Sequence, residues 1–233
     1  MLFCAFLFAM GCTEDDEDSR CVKYVDGHCC EAMLGDQCIY TGNVITFGKY
    51  PQASEELEPL QWRVYGIFNF EEEHRVEVWL LSEYIIDSKP YSTSANGYLW
   101  KDSTLRAWLN HEFLETAFSS DEQAMIKTSH VGDRDVKEEY YTNDKVYLLS
   151  SSQYSEGVPV GLATTHAIQA GLSVSSENCA NLQCTGGWWY YSSDDTNVYL
   201  QYRNMSKEED IALSNTEGIG VRPTMWLQFS TAK

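Results

Sequence analysis

The chain has 233 residues, a formal net charge of −19 and a sequence pI of about 4.5, with 43% hydrophobic and 13% aromatic residues. This length supplies one substantial hydrophobic core, and the hydrophobic content excludes a disordered polyelectrolyte. The negative charge disfavours nucleic acid and anionic lipid headgroups as partners. Cations, basic proteins and neutral sugars remain as candidate partners.

The N-terminus carries the pattern of an export signal. Residues 1–11 form an apolar run that ends in small residues before Cys12. The run is shorter than the about 20 residues that span a bilayer, but it fits the apolar region of a secretory signal. Small residues before a cysteine resemble a bacterial lipobox. We therefore expect residues 1–12 to be a signal peptide with a lipobox and Cys12 to be lipidated, the alternative being an ordinary signal peptide cut nearby.

An acidic segment follows this signal. Residues 13–20 include the run EDDED at residues 14–18, and like charges repel one another, so we predict an extended, solvated linker. The signal and the linker together predict a protein exposed outside the cytoplasm, in the cell envelope. A lipid anchor, for example in an outer membrane, would be its only contact with a membrane.

Residues 21–41 are rich in cysteine and too short to build a core of their own. The segment follows a secretion signal, so its cysteines predict disulfides in an oxidising compartment rather than a zinc site. Two further cysteines lie near the C-terminus, and six cysteines allow fifteen pairings, of which we favour Cys179–Cys184. The six are Cys21, Cys29, Cys30, Cys38, Cys179 and Cys184.

Residues 42–233 carry the pattern of one folded domain. Strand-forming residues occupy 44–52, 61–68 and 76–82, and the last two segments flank a charged tip, which predicts a hairpin. A helix capped by Asp102 or Ser103 follows. Its apolar face has helical spacing, whereas Arg106, Asn110 and Glu115 are expected to point away from the core. The apolar positions are Leu105, Trp108, Leu109, Phe113 and Ala117.

The second half of the domain alternates helices and strands less regularly. A short helix is predicted from Ser120, with Gln123 completing a capping box, and another over residues 162–170, ended by Gly171. Strands are predicted over 144–150, 188–193, 198–203 and 220–227. Strands at both ends with helices between them predict an α+β fold rather than repeated βαβ units.

The run Trp188–Tyr191, after two glycines, is the most distinctive stretch of the chain. Successive side chains of a strand point to opposite faces, so this run predicts a central strand with aromatic rings buried on both sides. The alternative is that Trp189 and Tyr191 form part of a binding platform, because Trp and Tyr dominate interface hot spots.

A series of short motifs follows in order along the domain: 47–52 (FGKYPQ), 62–64 (WRV), 80–84 (LLSEY), 103–110 (STLRAWLN), 113–114 (FL), 117–118 (AF), 144–150 (DKVYLLS), 187–189 (GWW) and 220–223 (GVRP). Over residues 42–230 the chain resembles an uncharacterised bacterial family of domains of unknown function, family 6273. That resemblance implies no activity. In the family the Trp-Trp pair is usually followed by Leu-Arg-Ser, whereas this chain has Tyr190-Tyr191-Ser192.

A glycine-tryptophan strand, a variable loop and then Gly-Val-Arg also resemble the C-type-lectin-like fold and its formylglycine-generating-enzyme branch. The resemblance implies mostly antiparallel strands with two or three helices. It also implies structural roles for Trp188 and Arg222, with Arg222 paired to a carboxylate, and a ligand-facing loop over residues 194–218. The expected ligand contacts are Trp189, Tyr191, Asp194 and Asp195.

The function expected from these observations is recognition of a carbohydrate or protein at the cell surface, without a cofactor, a bound metal or a catalytic residue. The five histidines are scattered and none belongs to a nucleophile motif. Cys179 and Cys184 resemble the copper-binding pair of formylglycine-generating enzymes, which gives a copper-dependent oxidase as one alternative. A structural protein of the envelope is the other.

Overall fold

The computed structural model describes residues 21–94, 98–132, 137–150, 158, 160–176, 179, 182–191, 198–201, 209–212 and 214–230, without the side chains of 198–201 and 209–212. These residues form mostly antiparallel strands and a few short helices, so the predicted α+β class is confirmed. No helix in the described ranges is both long enough and apolar enough to cross a membrane.

The cysteine-rich segment folds as two hairpins. β1 (Lys23–Val25) pairs with β2 (His28–Cys30), and β3 (Ala32–Leu34) pairs with β4 (Gln37–Ile39). The Cys30–Cys38 disulfide joins the hairpins, which confirms that this segment carries a disulfide. Cys21, whose thiol is free, and Cys29 do not belong to this bridge. The described segment therefore contains one disulfide, whereas the sequence predicted disulfides for all four residues Cys21, Cys29, Cys30 and Cys38.

The main sheet has five antiparallel strands. In spatial order these are β12 (Val146–Tyr147), β18 (Thr224–Ser230), β7 (Arg75–Ser82), β6 (Leu57–Phe70) and β5 (Val44–Pro51). β6 and β7 form the predicted hairpin, and the C-terminal β18 pairs with β7 over its whole length. The first and last parts of the domain therefore meet in one sheet.

A second five-stranded sheet is built from short segments. Its order is β16 (Glu209–Ala212), β15 (Val198–Gln201), β14 (Trp188–Trp189), β17 (Gly220–Val221) and β9 (Asp87–Ser88). β14 is the middle strand, as predicted, and pairs antiparallel with β15 and parallel with β17. Gly220 permits this close pairing because a Cβ there would lie 2.4 Å from the Ile85 side chain and 2.9 Å from the Gly187 carbonyl oxygen.

Two short strand pairs complete the β structure. β8 (Tyr84–Ile85) pairs parallel with β13 (Leu162–Ala163), and β10 (Ser129–Val131) pairs antiparallel with β11 (Thr142–Asp144). Of the strand predicted over residues 144–150, Asp144 is the last residue of β11 and Val146–Tyr147 form β12.

The main helix begins at Thr104, capped by the Ser103 side chain, which accepts a hydrogen bond from the Arg106 amide. It runs as α1 (Thr104–Trp108), a π turn (Leu109–Phe113) and α2 (Leu114–Ala117). The prediction that Arg106 and Asn110 point away from the core is wrong. Arg106 binds the carboxylate of Asp144, which is 1% exposed, because a buried charge needs a partner. Asn110 donates to the Val146 carbonyl.

The next helix, α3 (Ser120–Met125), begins where predicted but has a different cap. Ser119 is the N-cap and forms a capping box with Glu122, in place of the expected pair Ser120 and Gln123. Gln123 instead donates to the carbonyls of Leu114 and Phe118, at the end of the preceding helix. Only α4 (Thr165–Gln169) of the predicted 162–170 segment is helical, and Gly171 follows with φ +102°.

The aromatic strand lies between two hydrophobic clusters. Trp189 and Tyr191 belong to the larger cluster between the main sheet and the helices, and Trp188 and Tyr190 belong to a smaller cluster with Leu81 and other residues. All four aromatic residues are at most 3% exposed. The alternation of a strand therefore places rings in both clusters, as predicted for a central strand.

Arg222 is buried in this second region, with 1% of its surface exposed. Its Nε donates to the Ser82 carbonyl oxygen at 2.9 Å and its Nη2 donates to the Glu83 carbonyl oxygen at 3.3 Å. The guanidinium carbon lies 5.1 Å from the centre of a Trp188 ring. Burial lowers the pKa of Arg222 to about 10, which leaves the side chain charged at neutral pH.

Arg222 is buried, as expected for a structural arginine. Its Nε and Nη2 bind the backbone carbonyls of Ser82 and Glu83, and the charge of the Glu83 carboxylate, which Arg63 binds bidentately, also favours the charged form of Arg222. Arg222 thereby holds the turn between β7 and β8 against the start of β18.

The capping box gives a first test of the fold. We expect Ser119→Ala to lower the free energy of unfolding by about 1 kcal/mol, because the Glu122 amide loses its acceptor. Ser120→Ala is the matched control and should change the free energy by less than about 0.5 kcal/mol. Urea denaturation measures both. A larger loss for Ser120→Ala would contradict the cap assignment.

The burial of Arg222 gives a second test. We expect Arg222→Met to lower the free energy of unfolding by about 3 kcal/mol, because it leaves two buried carbonyls without donors. Arg63→Met removes the ion pair with Glu83, in which the Arg63 side chain is 28% exposed. This variant should lower the free energy of unfolding by about 1 kcal/mol or less. Equal losses for the two variants in chemical denaturation would show that Arg222 has no special structural role.

Candidate functional site

The aromatic residues predicted to contact a ligand lie in the interior. Trp189 is 0% exposed and its Nε1 donates to the Lys89 carbonyl oxygen at 2.8 Å, while Tyr191 is 3% exposed and packs against Trp100 with ring centres 6.0 Å apart. A ligand cannot reach either ring in this conformation. Burial thus corrects the expectation that Trp189 and Tyr191 form a contact surface.

Three other predicted site residues, Cys12, Asp194 and Asp195, lie outside the described residues. Cys179 and Cys184 form a disulfide, and the Cys184 carbonyl accepts a hydrogen bond from the Ala163 amide. A disulfide offers no thiolate to a copper ion, so the pair in this oxidised state supplies no copper ligand. Within the described ranges no group of three His, Cys, Asp or Glu side chains is placed to hold a metal ion.

A set of partly exposed aromatic rings lies instead on the main sheet, on the face opposite Val76, Val78 and Leu80. We call this set the outer aromatic strip, and its members are Tyr65, Trp79, Trp226 and Phe68. Trp226 also packs against the larger core cluster, and Tyr65 and Trp79 pack against the smaller one. Trp79 and Trp226 are directly opposite one another on β7 and β18. Their ring centres are 5.8 Å apart and their planes differ by 9°.

The strip extends from this central pair in two directions. The Phe68 ring lies 5.5 Å from the Trp226 ring, and the Tyr65 ring lies 5.6 Å from the Trp79 ring. Phe68 is 51% exposed and the other three rings are partly exposed. The strip therefore runs across three adjacent strands, from a solvated end at Phe68 to a covered end at Tyr65 beside the smaller core cluster.

A β-bulge produces this arrangement. The register of β6 against β7 shifts between Val64 and Gly66, so that the residues after the shift change faces. Phe68 pairs with Glu77 on the outer face, whereas Ile67 pairs with Val78 on the core face. Without the bulge, strict alternation from Val64 would have put Phe68 in the core.

The Trp79 indole nitrogen and the flanking charges orient the strip. Trp79 Nε1 donates to Thr224 Oγ1 at 2.8 Å, and Thr224 in turn donates to the Leu80 carbonyl. Lys127 lies over the Trp226 ring, 5.9 Å from its centre, and binds the buried Glu77 carboxylate at 2.7 Å. Arg75 binds the same carboxylate. The rings are thus held by hydrogen bonds and ion pairs in addition to packing.

Sequence reasoning missed this strip for a physical reason. Trp79 and Trp226 are separated by most of the domain in sequence, and only the pairing of β7 with β18 brings them together. One signal was present, because Tyr65, Phe68 and Trp79 lie on a hairpin recognised from the sequence. The bulge that places Phe68 beside them has no strong sequence signal beyond Gly66.

The comparisons with known proteins identify the family and no relative of known activity. A family model described as a domain of unknown function (DUF6273) matches residues 76–229. No curated protein and no solved structure matches the chain. The matched residues run from β7 through β18 and include both tryptophans of the outer aromatic strip. Since the match covers more than half of the chain, this protein belongs to the DUF6273 family.

Proposed function

We propose that this protein is a recognition module that binds a neutral glycan through the outer aromatic strip. The observation that carries the proposal is the partly exposed ladder of four rings, Tyr65, Trp79, Trp226 and Phe68, on one face of a rigid sheet. Sugar rings have apolar C–H faces, which pack on the electron-rich faces of aromatic rings. A row of rings suits successive sugar units.

Polar groups beside the strip are suited to the hydroxyl groups of a sugar. Gln228 is exposed on β18 and lies opposite Glu77 in the register with β7. Arg75, two residues before Glu77 on β7, binds Glu73 at 2.8 Å as well as Glu77. Donors and acceptors thus border the apolar surface, as in small-molecule sites where a few polar groups fix orientation.

The charge of the protein selects among glycans. A formal net charge of −19 repels polyanionic polysaccharides, so a neutral polymer is the preferred ligand class. A protein ligand would use the same aromatic residues as hot spots. Binding of a protein in place of a glycan is a separate outcome of the test below.

The proposed setting is an extracytoplasmic one. Residues 1–12 are proposed as the signal peptide with Cys12 as the lipidated residue, residues 13–20 as a tether and residues 42–233 as the domain, with a C-type-lectin-like fold. Disulfides persist in oxidising compartments, and the Cys30–Cys38 and Cys179–Cys184 bridges support this location. The adjacent pairing of β14 with β17 supports the fold, because it joins the glycine-tryptophan and Gly-Val-Arg segments.

The strip gives a third test, made with Phe68→Ala. We expect the wild-type protein to bind at least one member of a panel of neutral polysaccharides, measured by affinity electrophoresis and by quenching of tryptophan fluorescence. Loss of one stacking ring should weaken binding about 3- to 10-fold. Trp226→Ala should weaken binding further, with its melting temperature measured in parallel.

Leu57→Ala and Tyr24→Ala are matched controls, because both remove an exposed apolar side chain elsewhere, 53% and 63% exposed. Neither should change glycan binding. The proposal fails if no neutral polysaccharide binds, or if Phe68→Ala binds as tightly as the wild type. Capture of a protein ligand that Phe68→Ala abolishes, with no glycan bound, would also overturn it.

A further inference from the structure

A cleft of about 290 Å³ lies apart from the outer aromatic strip, at the edge of the second sheet. Its walls come from the residues after β9, the end of α4 and the turn before β17, and the two sites share no residue. The lining includes Ser88, Lys89, Ala170, Gly171, Glu217 and Gly218. The volume is just below the range of about 300–1,000 Å³ that is typical of small-molecule pockets, so the cleft suits a ligand of few atoms.

Lys89 is the cationic residue among those that line this cleft, and contacts with several neighbouring groups hold it in place. Its Nζ lies 3.8 Å from Asp87 Oδ2 and 4.6 Å from the centre of the Trp108 ring. Its backbone amide donates to the Ile219 carbonyl, and its carbonyl accepts from Trp189 Nε1. The side chain nevertheless stays 33% exposed. Trp189 thus supports the cleft from beneath instead of contacting a ligand.

The Asp87 carboxylate, next to Lys89, is buried and accepts hydrogen bonds from its neighbours. It is 4% exposed at the side chain, accepts a hydrogen bond from the Tyr50 hydroxyl at 2.7 Å and another from the Ser88 amide at 2.7 Å. His166 Nε2 lies 3.9 Å away. Burial, and then the charge of Asp87, raise the pKa of Tyr50, which therefore keeps its proton and donates it to this bond.

The other wall is electronegative. Glu217 is exposed, and it precedes Gly218 in the turn that leads to β17. Ala170 is the C-cap of α4, and the Ala167 and Ile168 carbonyls at the end of this helix accept hydrogen bonds from the Leu172 and Gly171 amides, so the negative charge of this wall comes from Glu217. The Gly171 carbonyl oxygen faces Gly218, 3.4 Å from the place of a Cβ there. Gly171 and Gly218 both have positive φ, +102° and +77°, which favours glycine.

We propose that this cleft binds a small zwitterion of amino-acid size, with its carboxylate on Lys89 and its ammonium group near Glu217 and the Gly171 carbonyl. One cation and one anion on different walls match the two charges of such a ligand, and a charged hydrogen bond is the strongest kind available to an exposed site. Glu217 and Gly218 belong to the loop expected from the sequence to face a ligand.

The test uses the whole protein and the twenty free amino acids, with binding measured by calorimetry and by chemical shifts of the Gly171 and Gly218 amides. The best ligand is compared with its amide, which lacks the carboxylate, and with its N-acetyl derivative, which lacks the ammonium group. Each derivative should bind about 10-fold or more weakly than the free amino acid.

Two variants assign these losses to the two walls. Lys89→Gln should weaken binding of the free amino acid about 10-fold and leave binding of the amide unchanged. Glu217→Gln should also weaken binding of the free amino acid about 10-fold, but it should leave binding of the N-acetyl derivative unchanged. Lys101→Gln is the control for lysine, since Lys101 is also 33% exposed, ion-paired and close to an aromatic ring. Glu115→Gln is the control for the exposed glutamate.

These measurements distinguish loss of the binding site from loss of folding. Glu217 is exposed, so Glu217→Gln should fold normally even if Lys89→Gln perturbs the Asp87 network. The proposal is overturned if no free amino acid binds, if the amide and the N-acetyl derivative bind as tightly as their parent, or if the control variants weaken binding as much as the test variants. None of these results depends on glycan binding by the outer aromatic strip.

Discussion

The packing of the Trp188–Tyr191 segment between two hydrophobic clusters is the constraint on which the other features depend. Its rings alternate between the clusters, so the segment has one acceptable register, and a slip by one residue would exchange the contents of both cores. Gly220 allows β17 to approach β14 closely enough to pair. The aromatic strand thus fixes the position of the chain that leads into β18, and through β18 it fixes the main sheet.

Buried charge reinforces this arrangement at two junctions. Arg222 binds the carbonyls of Ser82 and Glu83 where β7 turns towards β8, and Asp144 receives Arg106 and the Trp100 indole where the helix meets β12. Each group would be costly to bury alone, so each specifies which segments must meet. Such pairs favour one topology over alternatives more than they add stability.

Both proposed binding surfaces arise from contacts between distant parts of the sequence. The outer aromatic strip needs β18 beside β7, and the cleft needs the turn before β17 beside the residues after β9. In each case the buried core positions the exposed groups, since Trp189 supports Lys89 and Thr224 orients Trp79. The outer aromatic strip is therefore as rigid as the strands that carry it, which reduces the entropy lost when a ligand binds.

The sequence by itself determined the α+β class, the hairpin of β6 and β7, the central position of the aromatic strand, the presence of disulfides and the family, because these follow from local periodicity, cysteine content and short motifs. Only the tertiary structure decided between burial and a binding platform for Trp189 and Tyr191, and it also decided that Ser119 and not Ser120 caps α3 and that Arg106 faces Asp144. It also decided which aromatic residues are exposed. The bulge in β6 and the pairing of β18 with β7 set that choice, and neither is encoded by residues adjacent in sequence.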